Sequence, residues 1–165
     1  LLVMPLSAFE IATAKVLANG LVIMLAFAVS MAFVVEWGIG VPIAGSRLLL
    51  FMGAFVYLFS AAAIGIFLGT VARTMAQFAL LMLLVIMPMM MLSGGMTPIE
   101  SQPAWLQPIT NLLPSRHFMA FSQAIVFRGA GLETVWPQLA AMGALGGVFF
   151  AASLVLFRRS ISTTR

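Results

Sequence analysis

The sequence predicts an all-α membrane protein: four transmembrane helices and, before the last of them, a two-helix extracellular re-entrant hairpin. Three observations predict it. Charged residues make up 7% of the 165 positions and hydrophobic ones 63%, at a mean hydropathy of +1.17, whereas an ordinary soluble domain carries about 25% charge. A soluble fold of this composition has too few polar groups to cover its core. Four apolar runs, at 16–35, 48–72, 75–92 and 135–157, are each roughly long enough to cross a hydrocarbon core of about 30 Å as helix. Between the third and fourth lies a polar, proline-punctuated stretch, 93–134, whose character is wrong for a span.

The runs are continuous rather than alternating, which favours helices over barrel strands, and a helix satisfies its own backbone groups in lipid. The first run ends at Trp37. Between the second and third runs the connection is very short. Arg73, at its centre, would cost about 2.5–3.5 kcal/mol within the bilayer. At the boundary it costs little and anchors the turn. Contact with a partner protein is the other reading of this residue.

Pro88 removes a backbone donor inside the third run. Ser93-Gly94-Gly95 then allows a sharp change of direction. Beyond the turn, Thr97-Pro98-Ile99-Glu100-Ser101-Gln102-Pro103 leads into a helix expected over 104–113, where Leu106, Ile109 and Leu113 recur at helical spacing. Pro114 is expected to break it. Ser115 can cap a second helix running to about Phe127 and stopped by Gly129, with Phe118, Phe121 and Ile125 on one face. Both helices are too short to span. Such a pair, covering 97–128, either lies flat on the membrane or dips in as a re-entrant hairpin shielded by protein, and its aromatic and methionine content favours the hairpin.

Orientation follows from the flanks. With a cytoplasmic N-terminus, Lys15, Arg73, Arg158, Arg159 and Arg165 lie inside, and Arg47, Arg116 and Arg128 outside. Trp37, Trp105 and Trp136 all fall in one layer, the outer one, at the headgroup level such rings prefer. The C-terminus is then cytoplasmic. A net charge of +4 suits contact with anionic lipid on the inner face and needs no nucleic-acid partner.

Gly65-x-x-x-Gly69 and Gly143-x-x-x-Gly147 are small-residue stripes that let helices pack closely. The thirteen methionines read as lipid-facing filler or as adaptable apolar surface. Cysteine is absent, so there is neither a disulfide framework nor a thiolate metal site. The chain begins Leu1-Leu2-Val3-Met4-Pro5-Leu6, which lacks the form of a signal peptide and reads as the C-terminal part of something longer. The phosphate-cradling sequence Gly-x-x-x-x-Gly-Lys-Ser/Thr does not occur, so ATP is not expected to bind here. His117 is the single histidine. It could pair with Ser115 or Ser122 as an intramembrane hydrolase, but an interfacial or substrate-path role is the simpler reading. One histidine without cysteine is a poor zinc site. No catalytic, cofactor or metal residue is therefore assigned.

The stretch 92–107, LSGGMTPIESQPAWLQ, followed by Asn111-Leu112-Leu113-Pro114-Ser115-Arg116-His117-Phe118, resembles the signature of the type-2 ATP-binding-cassette exporter permeases. Pro5-Leu6 with Glu10 and Lys15 ahead of a span, Ala72-Arg73-Thr74 between spans, and Gly129-Ala130-Gly131-Leu132 with Trp136-Pro137 before the last extend that resemblance over nearly the whole chain. It implies a single permease domain over 1–165 that holds the last four of six spans in a bacterial inner membrane. Pro5, Leu6 and Glu10 would end the region coupled to the ATPase. Gly94, Gly95, Pro98, Glu100, Trp105, Pro114, Arg116, His117 and Phe118 would form the outer gate. The partners implied are cytoplasmic ATPase subunits carrying ATP and magnesium, and a second permease copy as homodimer or paralogous heterodimer. The cargo implied is amphipathic, drug-like or lipid-like. A membrane scaffold without transport is the rival reading.

Overall fold

The computed structural model describes residues 8–162, with side chains from 14 to 157. It divides into two compact units, 1–42 and 43–165. Among the described residues every regular element is helical, and four helices are long and apolar enough to cross a membrane: Ala14–Gly38, Arg47–Val71, Met75–Leu92 and Leu132–Phe157.

In the first unit the described residues 8–38 are continuously helical. Helix α1 (Ala8–Val29) passes into a π-helix, Ser30–Gly38. There the Ile39 N–H donates to Val34 O, five residues back, at 2.9 Å, and Gly40 at φ +72° turns the chain out. The run predicts an ordinary α-helix to residue 35. Between Gly20 and Gly38 it contains no glycine or proline that would announce the wider winding.

The second unit is built on α2 (Arg47–Val71). Ser46 caps it, accepting from the Leu49 N–H at 3.3 Å, so the helix starts before the apolar run does. Leu50, Gly53, Ala54, Ser60, Ala63, Ile64 and Leu68 are buried along it at helical spacing. After Val71 the chain reverses within three residues. Thr74 caps α3 (Met75–Leu92) by accepting from the Gln77 N–H at 3.1 Å, and the Gln77 side chain accepts from the Arg73 N–H at 2.9 Å. This reciprocal pairing, close to a capping box, fixes the turn and leaves Arg73 exposed.

Helix α3 has 18 residues against 25 in α2, so it ends about 10 Å short of the start of α2 at 1.5 Å per residue. The chain fills that shortfall with a 3-10 turn (Ile99–Ser101), a four-residue helix α4 (Gln107–Thr110) and then α5 (Pro114–Arg128). The helix expected over 104–113 is thus reduced to one turn flanked by irregular turns. Pro108 is the reason: it sits at the start of α4, and in a helix begun at 104 its ring would meet the carbonyl four residues earlier. Pro114 does not break a helix but starts one, at N1, where its missing N–H costs nothing.

Helix α5 runs antiparallel to α2. Phe118 stacks on Tyr57 with ring centroids 4.7 Å apart, Phe121 lies over Gly53, and Ile125 lies over Gly45. A β-carbon at Gly53 would stand 1.9 Å from the Phe121 ring, so the glycine is what allows the ring in. Phe121 and Ile125 are fully buried. The last helix, α6 (Leu132–Ser162), lies parallel to α2. Ser60 Oγ donates to the Met142 carbonyl, and a β-carbon at Gly146 would come within 2.9 Å of Phe59 and Ser60. Phe67 meets Phe149 edge-on at 5.5 Å.

Close approach therefore falls at Gly53 and Gly146 rather than along the two small-residue stripes. A β-carbon at Gly65 or Gly147 would meet no atom within 4 Å, and at Gly69 or Gly143 only ordinary contacts at 3.8 and 4.0 Å. Gly53→Ala is expected to destabilise the full-length protein by about 1–3 kcal/mol through overpacking, whereas Gly65→Ala should hold or gain stability because alanine favours helix. Thermal unfolding of both variants in detergent checks this, and equal melting temperatures would contradict it.

Candidate functional site

The second unit carries one candidate site, where the segment between α3 and α6 folds back onto α2. Gly94 makes the turn after α3 at φ +92°. Gly95 passes under α5, where a β-carbon would lie 2.7 Å from Met119 Cε. Ser93 is buried and donates to Met90 O at 3.2 Å. Gln102 is buried too, its amide N–H reaching Leu92 O at 3.3 Å, while its side-chain oxygen has no partner among the described residues.

Two side chains from the first turn of α5 hold the irregular leg. Arg116 donates to Gln107 O at 2.8 Å and to Thr110 Oγ1, and Thr110 is fully buried. His117 Nε2 lies 2.7 Å from Asn111 O; a carbonyl only accepts, so this nitrogen carries the proton. Arg116 thus ties down the first and last residues of α4, and His117 the carbonyl of Asn111 just beyond it. Ser115, exempt from capping because Pro114 opens the helix, donates across to Met89 O of α3 at 3.2 Å. Ser122 donates to Met119 O at 3.1 Å. Neither serine is paired with His117 in this geometry.

Between α2, α3 and α5 lies a cavity of about 300 Å³, open to one side. Tyr57 and Phe118 form one wall with their stacked rings. Met89, Met90 and Met119 supply three thioethers, Ile86 an apolar edge, and Ser93 and Ser115 the polar corner. Three of the methionines read from sequence as filler or adaptable surface thus converge on one space. No periodicity signals that convergence, because Met119 arrives from a helix separated from α3 by the whole irregular leg.

Of the residues singled out from sequence, Phe118 lines the cavity, Pro114, Arg116 and His117 set the geometry of its α5 wall, and Gly94 and Gly95 make the return turn. Pro98 caps the 3-10 turn, with Glu100 exposed in it and Trp105 exposed beyond it. Pro5 and Leu6 lie outside the described residues, as does the side chain of Glu10, whose backbone is in α1. Sequence reasoning passed over Tyr57 and Gly53, which carry no motif; only their burial against α5 marks them.

The profile of the family described as "ABC-2 type transporter" matches residues 1–127. The chain is 47% identical over 163 residues to a protein of Escherichia coli called inner membrane transport permease YhhJ, covering 99% of this chain and 44% of that one. It is 29% identical over 161 residues to the probable multidrug ABC transporter permease YbhR of the same bacterium, at 98% and 44% coverage. With the ABC transporter G family member 20 of Dictyostelium discoideum the identity is 30% over 123 residues, covering 73% of this chain and 17% of that one. The chain spans less than half the length of these relatives. No solved structure matches it.

Arg116→Ala should remove two bonds to the irregular leg and cost about 1.5–3 kcal/mol, the range for a bond involving a charged group. Hydrogen exchange of the 107–113 amides in the full-length protein should accelerate by more than in His117→Ala. Unchanged protection in Arg116→Ala would show that the leg is held by something else.

Proposed function

The chain belongs to the ABC-2 type transporter family and is part of a membrane permease subunit, and on that premise we propose that it forms the last four spans of a six-span exporter subunit of a bacterial inner membrane. ATP and magnesium are bound and turned over on separate cytoplasmic subunits, not on this chain. Their cycle rocks two permease copies between inward and outward states and moves an amphipathic, drug-like or lipid-like molecule outward. Residues Pro5, Leu6 and Glu10 carry force from the ATPase, and the segment from Gly94 to Arg128 is the outer gate.

The observation that carries this reading is the seating of α5. Tyr57 lies about 15 Å along α2 from Arg47 and about 21 Å from Val71, and the α5 helix covers α2 from Tyr57 to the Arg47 end. A helix of 15 residues, too short to span, thus accompanies roughly half of one that is long enough. If α2 crosses the bilayer, the start of α5 lies within it. That supports a re-entrant hairpin over a pair of surface helices, and a hairpin wedged between spans suits a gate. The exposed Arg73 turn then belongs on the cytoplasmic side, with the C-terminus, and the exposed Trp105 and Trp136 at the outer headgroups.

The full-length permease should co-purify with an ATPase of the P-loop class encoded beside it and raise its ATP turnover several-fold. A scaffold would bind without stimulating turnover, and that outcome, or no association, would defeat the exporter reading. Orientation has its own check. Cysteine at Glu100 or Thr134, both exposed, should react with an impermeant maleimide applied to the outer face, and cysteine at Thr74 should not. The reverse pattern inverts the topology. Gln102, although in the hairpin, is too buried to serve.

A further inference from the structure

We infer that the cavity between α2, α3 and α5 is a binding site for a neutral, membrane-partitioning aromatic molecule bearing a hydroxyl group, a phenol or naphthol in chemical class. The walls select the body of such a ligand. Tyr57 and Phe118 present aromatic surface, and Met89, Met90 and Met119 present polarisable sulfur, which contacts ring edges favourably and adapts to irregular shapes. A volume of about 300 Å³ is at the small end of ligand pockets and admits a ring system rather than a whole lipid.

The polar corner selects the hydroxyl. Ser93 and Ser115 spend their hydrogens on Met90 O and Met89 O, so toward the cavity they offer oxygen lone pairs, which accept. The Tyr57 hydroxyl makes no hydrogen bond to another described residue and is available to donate. One group that both donates and accepts, a ligand hydroxyl, satisfies both sides. A charged ligand fits poorly. No lining residue is ionised at neutral pH, and the neighbouring Arg116 is committed to Gln107 O and Thr110 Oγ1. Ile86 and Met90, on the face of α3, are both exposed and lining, so entry is sideways, from lipid.

This inference rests on the spans lying in a bilayer and names a substrate or modulator class for the proposed exporter, but its test needs no ATPase. The full-length permease in phosphatidylcholine nanodiscs is titrated with 6-fluoro-2-naphthol and, separately, 2-fluoronaphthalene, with bound and lipid-dissolved probe separated by fluorine NMR. Saturable binding of the naphthol is expected. Met90→Trp and Ile86→Trp, which fill the cavity, should weaken it at least tenfold, and Leu83→Trp, on the exposed face of α3 outside the cavity, should not. Tyr57→Phe should weaken the naphthol by roughly threefold to tenfold, the worth of one hydrogen bond, and leave the fluoronaphthalene unchanged. Equal affinity for the two probes, or tryptophan variants that fold normally and bind as the parent does, would overturn the proposal. Failure of ATPase coupling alongside intact naphthol binding would sink the exporter reading and leave this site standing.

Discussion

The rest of the second unit depends on one missing side chain. Because residue 53 is glycine, the Phe121 ring can lie against the α2 backbone where a β-carbon would stand 1.9 Å away, and α5 settles into the groove along one half of α2. From that contact follow the stack of Phe118 on Tyr57, the approach of Ile125 to Gly45, and the cavity left where α3 stops short. Helix α6 uses the same device on another face, with Gly146 admitting Phe59 and Ser60. One bare patch on the central helix and one on α6 thus seat two neighbours against α2. Shape, rather than hydrophobic drive, decides such packing when the surroundings are themselves apolar.

A short helix in apolar surroundings must also settle its backbone ends, since each unpaired group costs several kcal/mol in hydrocarbon. The ends of α5 are treated accordingly. Pro114 opens the helix without an N–H to satisfy. At the other end Gly129, in the left-handed conformation, and Ala130 both donate to Ala124 O, while Ala44 N–H donates to Val126 O at 3.0 Å. The irregular leg before α5 is handled in the same way, through Arg116, His117 and Gln102. These are the provisions a non-spanning segment needs if it is to sit below a membrane surface, and they are consistent with the gate proposed for it.

Much of the architecture was legible in the sequence because length and composition govern it. Helices fall on all four apolar runs, and the third, Met75–Leu92, has the ends expected of it. Gly129 stops α5 for the reason a glycine there is expected to. The misreadings are local and have local causes. A helix over 104–113 ignores Pro108, and a cap at Ser115 ignores that Pro114 takes the first position and leaves the hydroxyl for α3. The small-residue stripes look like packing sites by spacing alone, whereas the close approaches fall at Gly53 and Gly146, in neither stripe; the ring that meets Gly53 comes from 68 residues further along. Long-range pairing of that kind leaves no trace in one sequence. The cavity shares this origin, being assembled from three helices whose lining residues look apolar and ordinary one by one.

The central claim is that α5 lies alongside the Arg47 half of α2 in the membrane-embedded protein. A double variant of the full-length permease, Tyr57→Cys with Phe118→Cys, tests it most directly when treated in native membranes with a short thiol cross-linker. The account predicts efficient intramolecular cross-linking, and none for Tyr57→Cys paired with Phe127→Cys, whose side chain is exposed at the far end of α5. Equal cross-linking of the two pairs, or none of either while both thiols remain reactive, would contradict it.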